Sequence, residues 1–252
     1  MDRQEILSKI NSVQWYQKFE ILPGIFTPGK VPTDPKVLFA HLGLPSDLAG
    51  KRVLEIGTWD GPVAFECEAR GAVVTGLDIQ DPCKTGFNVA KEILNSKVEY
   101  VQGSVYDLTV LLKNSFDYVF FLGVFYHLKN PVLAFEQIAS ILRDDGVLVY
   151  EGECLRLYAE DTVGSPYQDE QIRQLALSQL PISLFYADTY KGDDSNWFVP
   201  NAACLRSWLR AAGFSITREA FHEDRSTTPP QQRTAAVAQK MAGLRVEHRL
   251  VE

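Results

Sequence analysis

The stretch Lys51-Arg52-Val53-Leu54-Glu55-Ile56-Gly57-Thr58-Trp59-Asp60-Gly61 limits the possible folds more than any other part of the chain. Val53 to Ile56 is an apolar run interrupted only by Glu55. It ends in a glycine-bearing turn, and Val63-Ala64-Phe65-Glu66-Cys67-Glu68 then has helical character. Strand, tight turn and helix in that order make a nucleotide-type loop.

The flanking sequence repeats the alternation. Strands are expected at Ala72–Asp78, Val98–Val101, Phe116–Leu122 and Gly146–Glu151, with helices at Thr85–Asn95 and Pro131–Arg143. Such alternation predicts an α/β fold, a Rossmann-like doubly wound and mostly parallel sheet. Near the C-terminus, Phe214–His222 and Arg233–Gln239 are strands joined by Ser226-Thr227-Thr228-Pro229-Pro230. Strands that close in sequence must pair antiparallel, because a parallel crossover needs a dozen or more residues.

Residues 1–50 are expected to form a helical and aromatic cover, whose aromatics either face a ligand or seal the sheet edge. It has a short helix from Asp2 to about Asn11, a turn-rich segment through Pro23-Gly24-Ile25-Phe26-Thr27-Pro28-Gly29, and a helix over Asp34–Leu42. Residues 51–252 would then be the main domain, with residues 154–200 inserted as a substrate lid that includes a helix from Asp169 to Leu180. A helix from Asn201 to Ala212 stops at Gly213. The lid carries three basic residues (Arg156, Arg173, Lys191) against seven acidic ones (Glu160, Asp161, Asp169, Glu170, Asp188, Asp193, Asp194), a net of −4. An acidic lid is a poor surface for phosphates.

With 252 residues, 46% of them hydrophobic, the chain can bury a full core. Its formal net charge of −7 gives no global field to attract a nucleic-acid backbone or an anionic membrane. The four cysteines lie far apart without metal-ligand or redox spacing, no run approaches the roughly 18 apolar residues of a membrane span, and no metal is expected. These features predict a cytoplasmic protein, monomer or homodimer, that does not engage membranes. The tail Leu244–Arg249 is expected to be solvated or to contact a second copy.

The side chains of the turn then narrow the ligand. A dinucleotide loop needs Gly-x-Gly-x-x-Gly so that bare backbone meets a pyrophosphate, and here those second and third positions hold Trp59 and Pro62. Asp60 would also repel phosphate. S-adenosylmethionine has no phosphate and presents a cationic sulfonium, which Glu55 and Asp60 are expected to favour by Coulomb attraction. Asp78, 21 positions after Gly57, ends the second strand and is either a ribose ligand or a helix cap. Ser104 and Val105, after the third strand, either border the adenine or form a plain turn.

The same residues resemble the first motif of class I S-adenosylmethionine-dependent methyltransferases, keeping Glu55, Gly57 and Gly61 with Trp59 in place of the middle glycine. The resemblance implies a seven-stranded sheet with a terminal antiparallel hairpin. It also implies cofactor contacts at Glu55, Gly57, Thr58, Asp60, Gly61, Asp78, Ile79, Ser104, Val105, Leu122 and Tyr126. Pro23–Gly29, Gly123-Val124-Phe125-Tyr126-His127, Trp197-Phe198-Val199-Pro200, Leu209–Phe214 and Gln232-Arg233-Thr234 are similar to the branch that contains the tRNA wobble-uridine carboxymethyltransferases. In that branch, residues matching Tyr126 and Arg233 hold the extra carboxylate of carboxy-S-adenosylmethionine. The branch's N-terminal lysine falls here at Gln17, so the ordinary cofactor and a small-molecule acceptor are the expectation, with tRNA as the alternative acceptor.

His127, Tyr126 and Glu151 are the catalytic candidates. They stand at the carboxyl ends of central strands, and His127 reads as a general base, as a cap for the helix at Pro131 or as a ring bonded to the backbone. Trp15, Phe26, Glu153, Asp188, Tyr190, Trp197 and Arg233 are the expected substrate contacts. The expected function is methyl transfer to a small-molecule or sugar hydroxyl; the other readings are tRNA modification and a non-catalytic cofactor-binding module.

Overall fold

Proline and glycine punctuate the elements as helix chemistry requires. In the computed structural model, which describes residues 1–113, 115–155, 161–163, 165–167, 169–171, 174, 178–224 and 231–242, three helices open with proline in their first turn. Proline is suited there because it lacks only an N–H that would have no helical partner. The chain divides into two compact units, Met1–Phe120 and Phe121–Glu252.

The first unit begins with α1 (Arg3–Ile10), capped by the Asp2 carboxylate, which accepts from the Glu5 N–H. Four strands of two or three residues follow, β1 (Gln17–Lys18), β2 (Glu20–Leu22), β3 (Ile25–Phe26) and β4 (Val31–Pro32), and then α2 (Pro35–Leu42). The nucleotide-type unit is β5 (Arg52–Ile56), α3 (Pro62–Ala69), β6 (Val73–Asp78), α4 (Phe87–Leu94) and β7 (Glu99–Gln102). A 3-10 turn at Val105–Asp107, α5 (Leu108–Leu111) and most of β8 (Phe116–Leu122) complete it. β5 and β6 pair in parallel from Arg52↔Val73 to Ile56↔Leu77, and β6 and β7 from Thr75↔Glu99 to Asp78↔Gln102. Val53 and Leu54 are fully buried, as expected of a strand covered on both faces.

The second unit holds a 3-10 turn at Phe125–His127, α6 (Pro131–Ile141), β9 (Leu142–Glu153), β10 (Ser183–Phe185), β11 (Phe198–Pro200), α7 (Ala202–Ala211), β12 (Phe214–Asp224) and β13 (Gln231–Lys240). α6 buries Ala134, Phe135, Ile138 and Ile141 and ends two residues before the expected Arg143, because Leu142 is already extended at ψ 139°. β13 pairs antiparallel with both β9 and β12. Gly213, at φ 88°, stops α7 in the left-handed region as expected. β10 and β11 form a separate antiparallel pair that the sequence patterns did not reveal.

The main sheet has seven strands in the order β12-β13-β9-β8-β5-β6-β7, mostly parallel with the antiparallel hairpin at one end. The fold is therefore the expected Rossmann-like α/β architecture. The expected helix over Asp169–Leu180 falls partly outside the described residues, with Glu170, Gln171 and Gln174 helical among those described; the Ser226–Pro230 turn, the Leu244–Arg249 tail, and Arg156, Glu160 and Arg173 of the lid lie outside them. Among the described residues no helix is long and apolar enough to cross a membrane.

Candidate functional site

In the first unit, the turn between β5 and α3 takes positive φ at alternate residues: Gly57 (77°), Trp59 (46°) and Gly61 (87°). Gly61 has no alternative, since a Cβ there would come within 2.7–2.9 Å of the Phe65 and Phe87 rings. Trp59 adopts a conformation that suits glycine, and its ring lies against Tyr16 with centroids 5.2 Å apart. Asp78 holds this turn, accepting from the Trp59 N–H at 2.9 Å through one carboxylate oxygen and from the Gln80 N–H at 2.9 Å through the other. Each oxygen keeps a further lone pair for a hydroxyl donor. The Gly103 N–H donates to the Asp78 carbonyl at 2.8 Å, which brings the turn bearing Ser104 and Val105 alongside. The Ser104 hydroxyl accepts from the Tyr106 N–H, Val105 is buried, and Ile79 is 67% exposed.

The structure corrects the Coulomb argument for the two other acids. Glu55 is buried and accepts from the Thr58 hydroxyl at 2.6 Å and the Ala64 N–H at 2.9 Å. Burial pushes its carboxyl up to about 8, so it is largely uncharged at neutral pH and offers a cation little attraction. Asp60 is fully buried, and its two oxygens accept from three backbone N–H groups: Tyr16 and Gln17 at 2.8 Å and Gly86 at 2.7 Å. Burial raises its carboxyl and these bonds oppose the rise. Asp60 thus fastens backbone segments together. The Asp60 N–H in turn donates to the Gln17 side chain at 3.1 Å.

Trp15, expected at the substrate, packs inward. It is 8% exposed, its indole N–H donates to the Ile10 carbonyl, and its ring fills the space where a Gly86 side chain would stand. That placement leaves it no open face for an acceptor. Phe26 is exposed.

In the second unit, Tyr126, Glu151 and Arg233 come together. Arg233 meets Glu151 with two guanidinium nitrogens on the two carboxylate oxygens, one bond at 2.9 Å and a shorter one from Nε to Oε1. The same guanidinium reaches the Tyr126 hydroxyl at 3.4 Å. Burial pushes that phenol up to about 12, so it stays protonated despite the cation. Gly123, at φ 71°, donates its N–H to the Glu151 carbonyl and begins the turn that presents Tyr126 and His127. Leu122, at the end of β8, is half-buried.

Glu153, 3% exposed, accepts from Lys191 at 2.7 Å and from the Tyr190 hydroxyl at 3.0 Å. Trp197 donates its backbone N–H to the Tyr126 carbonyl at 2.8 Å, and the Lys129 ammonium lies 4.3 Å from its ring centroid. Asp188 is exposed. His127 does not cap α6: its Nδ1 lies 2.9 Å from the Ser195 hydroxyl. Burial lowers its imidazole below the ordinary 6.5, partly opposed by Asp193. Among the described residues no group of three or more His, Cys, Asp or Glu is placed to hold a metal ion.

Lys191, Asp193 and Ser195 were not among the expected residues. Asp193-Asp194-Ser195 is a turn-forming sequence, with the Asp193 carboxylate accepting from the Ser195 N–H at 2.8 Å. Nothing in that local signal points to His127, which lies 68 positions earlier.

The methyltransferase domain family model matches residues 35–219. The tRNA U34 carboxymethyltransferase of Aeromonas hydrophila is 27% identical over 192 residues, covering 75% of this chain and 52% of its own. The chain therefore spans about half the length of the curated relatives it matches. Among solved structures, the N-terminal domain of EvdMO1 with S-adenosylhomocysteine bound has a TM-score of 0.62 at 18% identity, covering 95% of this chain and 98% of that one. The same domain was also solved in the presence of S-adenosylhomocysteine and D-fucose. The [4+2]-cyclase SpnF has a TM-score of 0.58 at 16% identity, covering 83% and 80%.

Proposed function

The chain belongs to the methyltransferase domain family, and on that premise we propose that it transfers a methyl group from S-adenosylmethionine to a hydroxyl oxygen of a small molecule or sugar. One observation carries the cofactor: a left-handed turn from Gly57 to Gly61, without lysine or arginine, is bonded to Asp78, whose oxygens keep lone pairs for a ribose diol. That donor set suits a phosphate-free nucleoside. The exposed Ile79 supplies an apolar face for its base.

When bound, the cofactor supplies an electrophilic methyl carbon on a sulfonium. The chain has to hold and orient the acceptor and take its proton, and positioning can supply several kcal/mol of barrier reduction. His127, lowered by burial, is neutral at pH 7 and able to accept that proton. The EvdMO1 domain, solved with a hexose present, supports a sugar-type acceptor. The similarity to tRNA U34 carboxymethyltransferases supports tRNA as the second reading.

Titration calorimetry with S-adenosylmethionine tests the cofactor, with Asp78→Ala expected to weaken binding at least about tenfold, or ~1.4 kcal/mol. Transfer of labelled methyl to a panel of hydroxylated metabolites, sugars and unmodified tRNA tests the acceptor. Label found only in tRNA would move the assignment to the second reading. Tight cofactor binding with no transfer to any acceptor would point to a non-catalytic module.

A further inference from the structure

Ser195 lies between two groups that both require its hydroxyl. Its Oγ is 2.9 Å from Nδ1 of His127 and 2.5 Å from Oδ1 of Asp193. The hydroxyl has one proton to donate, and an ionised carboxylate has none. Burial works to raise the Asp193 carboxyl, and the two bonds from Ser195 together with His127 outweigh it, leaving Asp193 below its ordinary value and ionised at neutral pH. The Ser195 proton must therefore point at Asp193. Its lone pair then faces Nδ1, which must carry the imidazole hydrogen.

We propose that Asp193 and Ser195 are positioning residues that lock neutral His127 in its Nδ1–H tautomer and so make Nε2 the proton acceptor. The proposal rests on the methyl-transfer reading above and adds to it the atom that receives the proton. In the step, the acceptor oxygen bonds to the methyl carbon as the carbon–sulfur bond breaks and sulfur keeps the electron pair. The hydroxyl proton moves to Nε2. The resulting imidazolium donates through Nδ1 to Ser195, and the Asp193 charge stabilises it through that hydroxyl.

Other groups around the ring do not replace this pair. The Ser195 backbone also hydrogen-bonds the ring and favours its charged form, Tyr126 packs against it at 4.3 Å between centroids, Arg233 disfavours the charged ring, and Glu153 favours it but is already paired with Lys191. A bare loop turn would need only the bond from the Ser195 N–H to Asp193. It would not place the Ser195 hydroxyl on the imidazole.

Nitrogen-15 spectra of the full chain labelled at its four histidines, recorded with S-adenosylmethionine present and assigned by the signal lost in His127→Gln, test the proposal. The expected result is a protonated Nδ1 and a bare Nε2. Ser195 is exposed, so Ser195→Ala should fold, and it should mix the two tautomers while Ser195→Thr restores one. Asp193→Asn should lower the His127 titration further, since the lost charge favours the imidazolium. Nε2–H in the unaltered protein, or no tautomer change in Ser195→Ala, overturns the proposal. With an acceptor in hand, Ser195→Ala should reduce kcat about tenfold and leave KM for the cofactor unchanged. Undiminished turnover in His127→Ala would remove the base role and leave the tautomer lock standing.

Discussion

Arg233 pairs with Glu151 through two hydrogen bonds, although the strand register sets Arg233 opposite Glu153 and Glu151 opposite Ala235. Glu151 and Glu153 are two positions apart on β9 and share a face. The diagonal reach of Arg233 gives each acid its own cation, since Lys191 takes Glu153.

Releasing Arg233 should therefore change cofactor preference. By resemblance, Tyr126 and Arg233 match residues that hold an extra carboxylate, but here Glu151 already fills the guanidinium fork and Gln17 brings no charge. The unaltered protein is expected to bind carboxy-S-adenosylmethionine no more tightly than the ordinary cofactor. Glu151→Gln should shift the ratio toward the carboxylated form by about tenfold, ~1.4 kcal/mol, in competitive calorimetry. An unchanged ratio would mean that Arg233 has no part in cofactor choice.

Trp59 offers a test of backbone strain. At φ 46° a side chain crowds the following carbonyl, and glycine alone escapes this. Trp59→Gly and Trp59→Ala both lose the Tyr16 contact, and Trp59→Gly should be the more stable by about 0.5–1 kcal/mol in urea unfolding. That order reverses the usual alanine-over-glycine ranking. Equal stability would show that the turn relaxes once the indole is gone.

Glu55 should make stability depend on pH. Burial raises its folded value from 4.5 to about 8, so over that interval the folded state holds a proton that the unfolded chain has released. The contribution is fully present below 4.5 and is lost as the pH rises to about 8. Glu55→Gln keeps an oxygen for Thr58 and Ala64, and should flatten the stability difference between about pH 5 and about pH 9. A variant with the same slope as the unaltered protein would assign the dependence to other groups.

Lys191→Met should strand the buried Glu153 carboxylate and cost about 3 kcal/mol. Adding Glu153→Gln should recover most of that loss, because no charge then needs a partner. A double-mutant cycle measures the coupling, and strictly additive effects would contradict it.

The architecture was legible because strand and helix periods alternate cleanly between Val53 and Glu151 and because two strands so close in sequence cannot pair in parallel. The four β1–β4 strands and the β10–β11 pair are too short to leave a period. At the site, the strand, turn and helix around Gly57 and Gly61 were readable, since local backbone geometry fixes them. The roles of Glu55 and Asp60 were not, because a letter does not show whether its charge is desolvated or taken up by distant amides. Trp15 looked like a ligand-facing aromatic for the same reason. The link from Asp193 through Ser195 to His127 depends on tertiary proximity alone.

Asp60 draws two of its three amide donors, Tyr16 and Gln17, from the segment that follows α1. Cutting the chain ahead of Lys18 would leave a sealed carboxylate with one donor beside the loop that ends at Gly61. A break at that point would remove two of the three amide bonds that fix Asp60, from 44 and 43 positions away in sequence. The segment after α1 is thus a tether for the turn, held at one buried carboxylate.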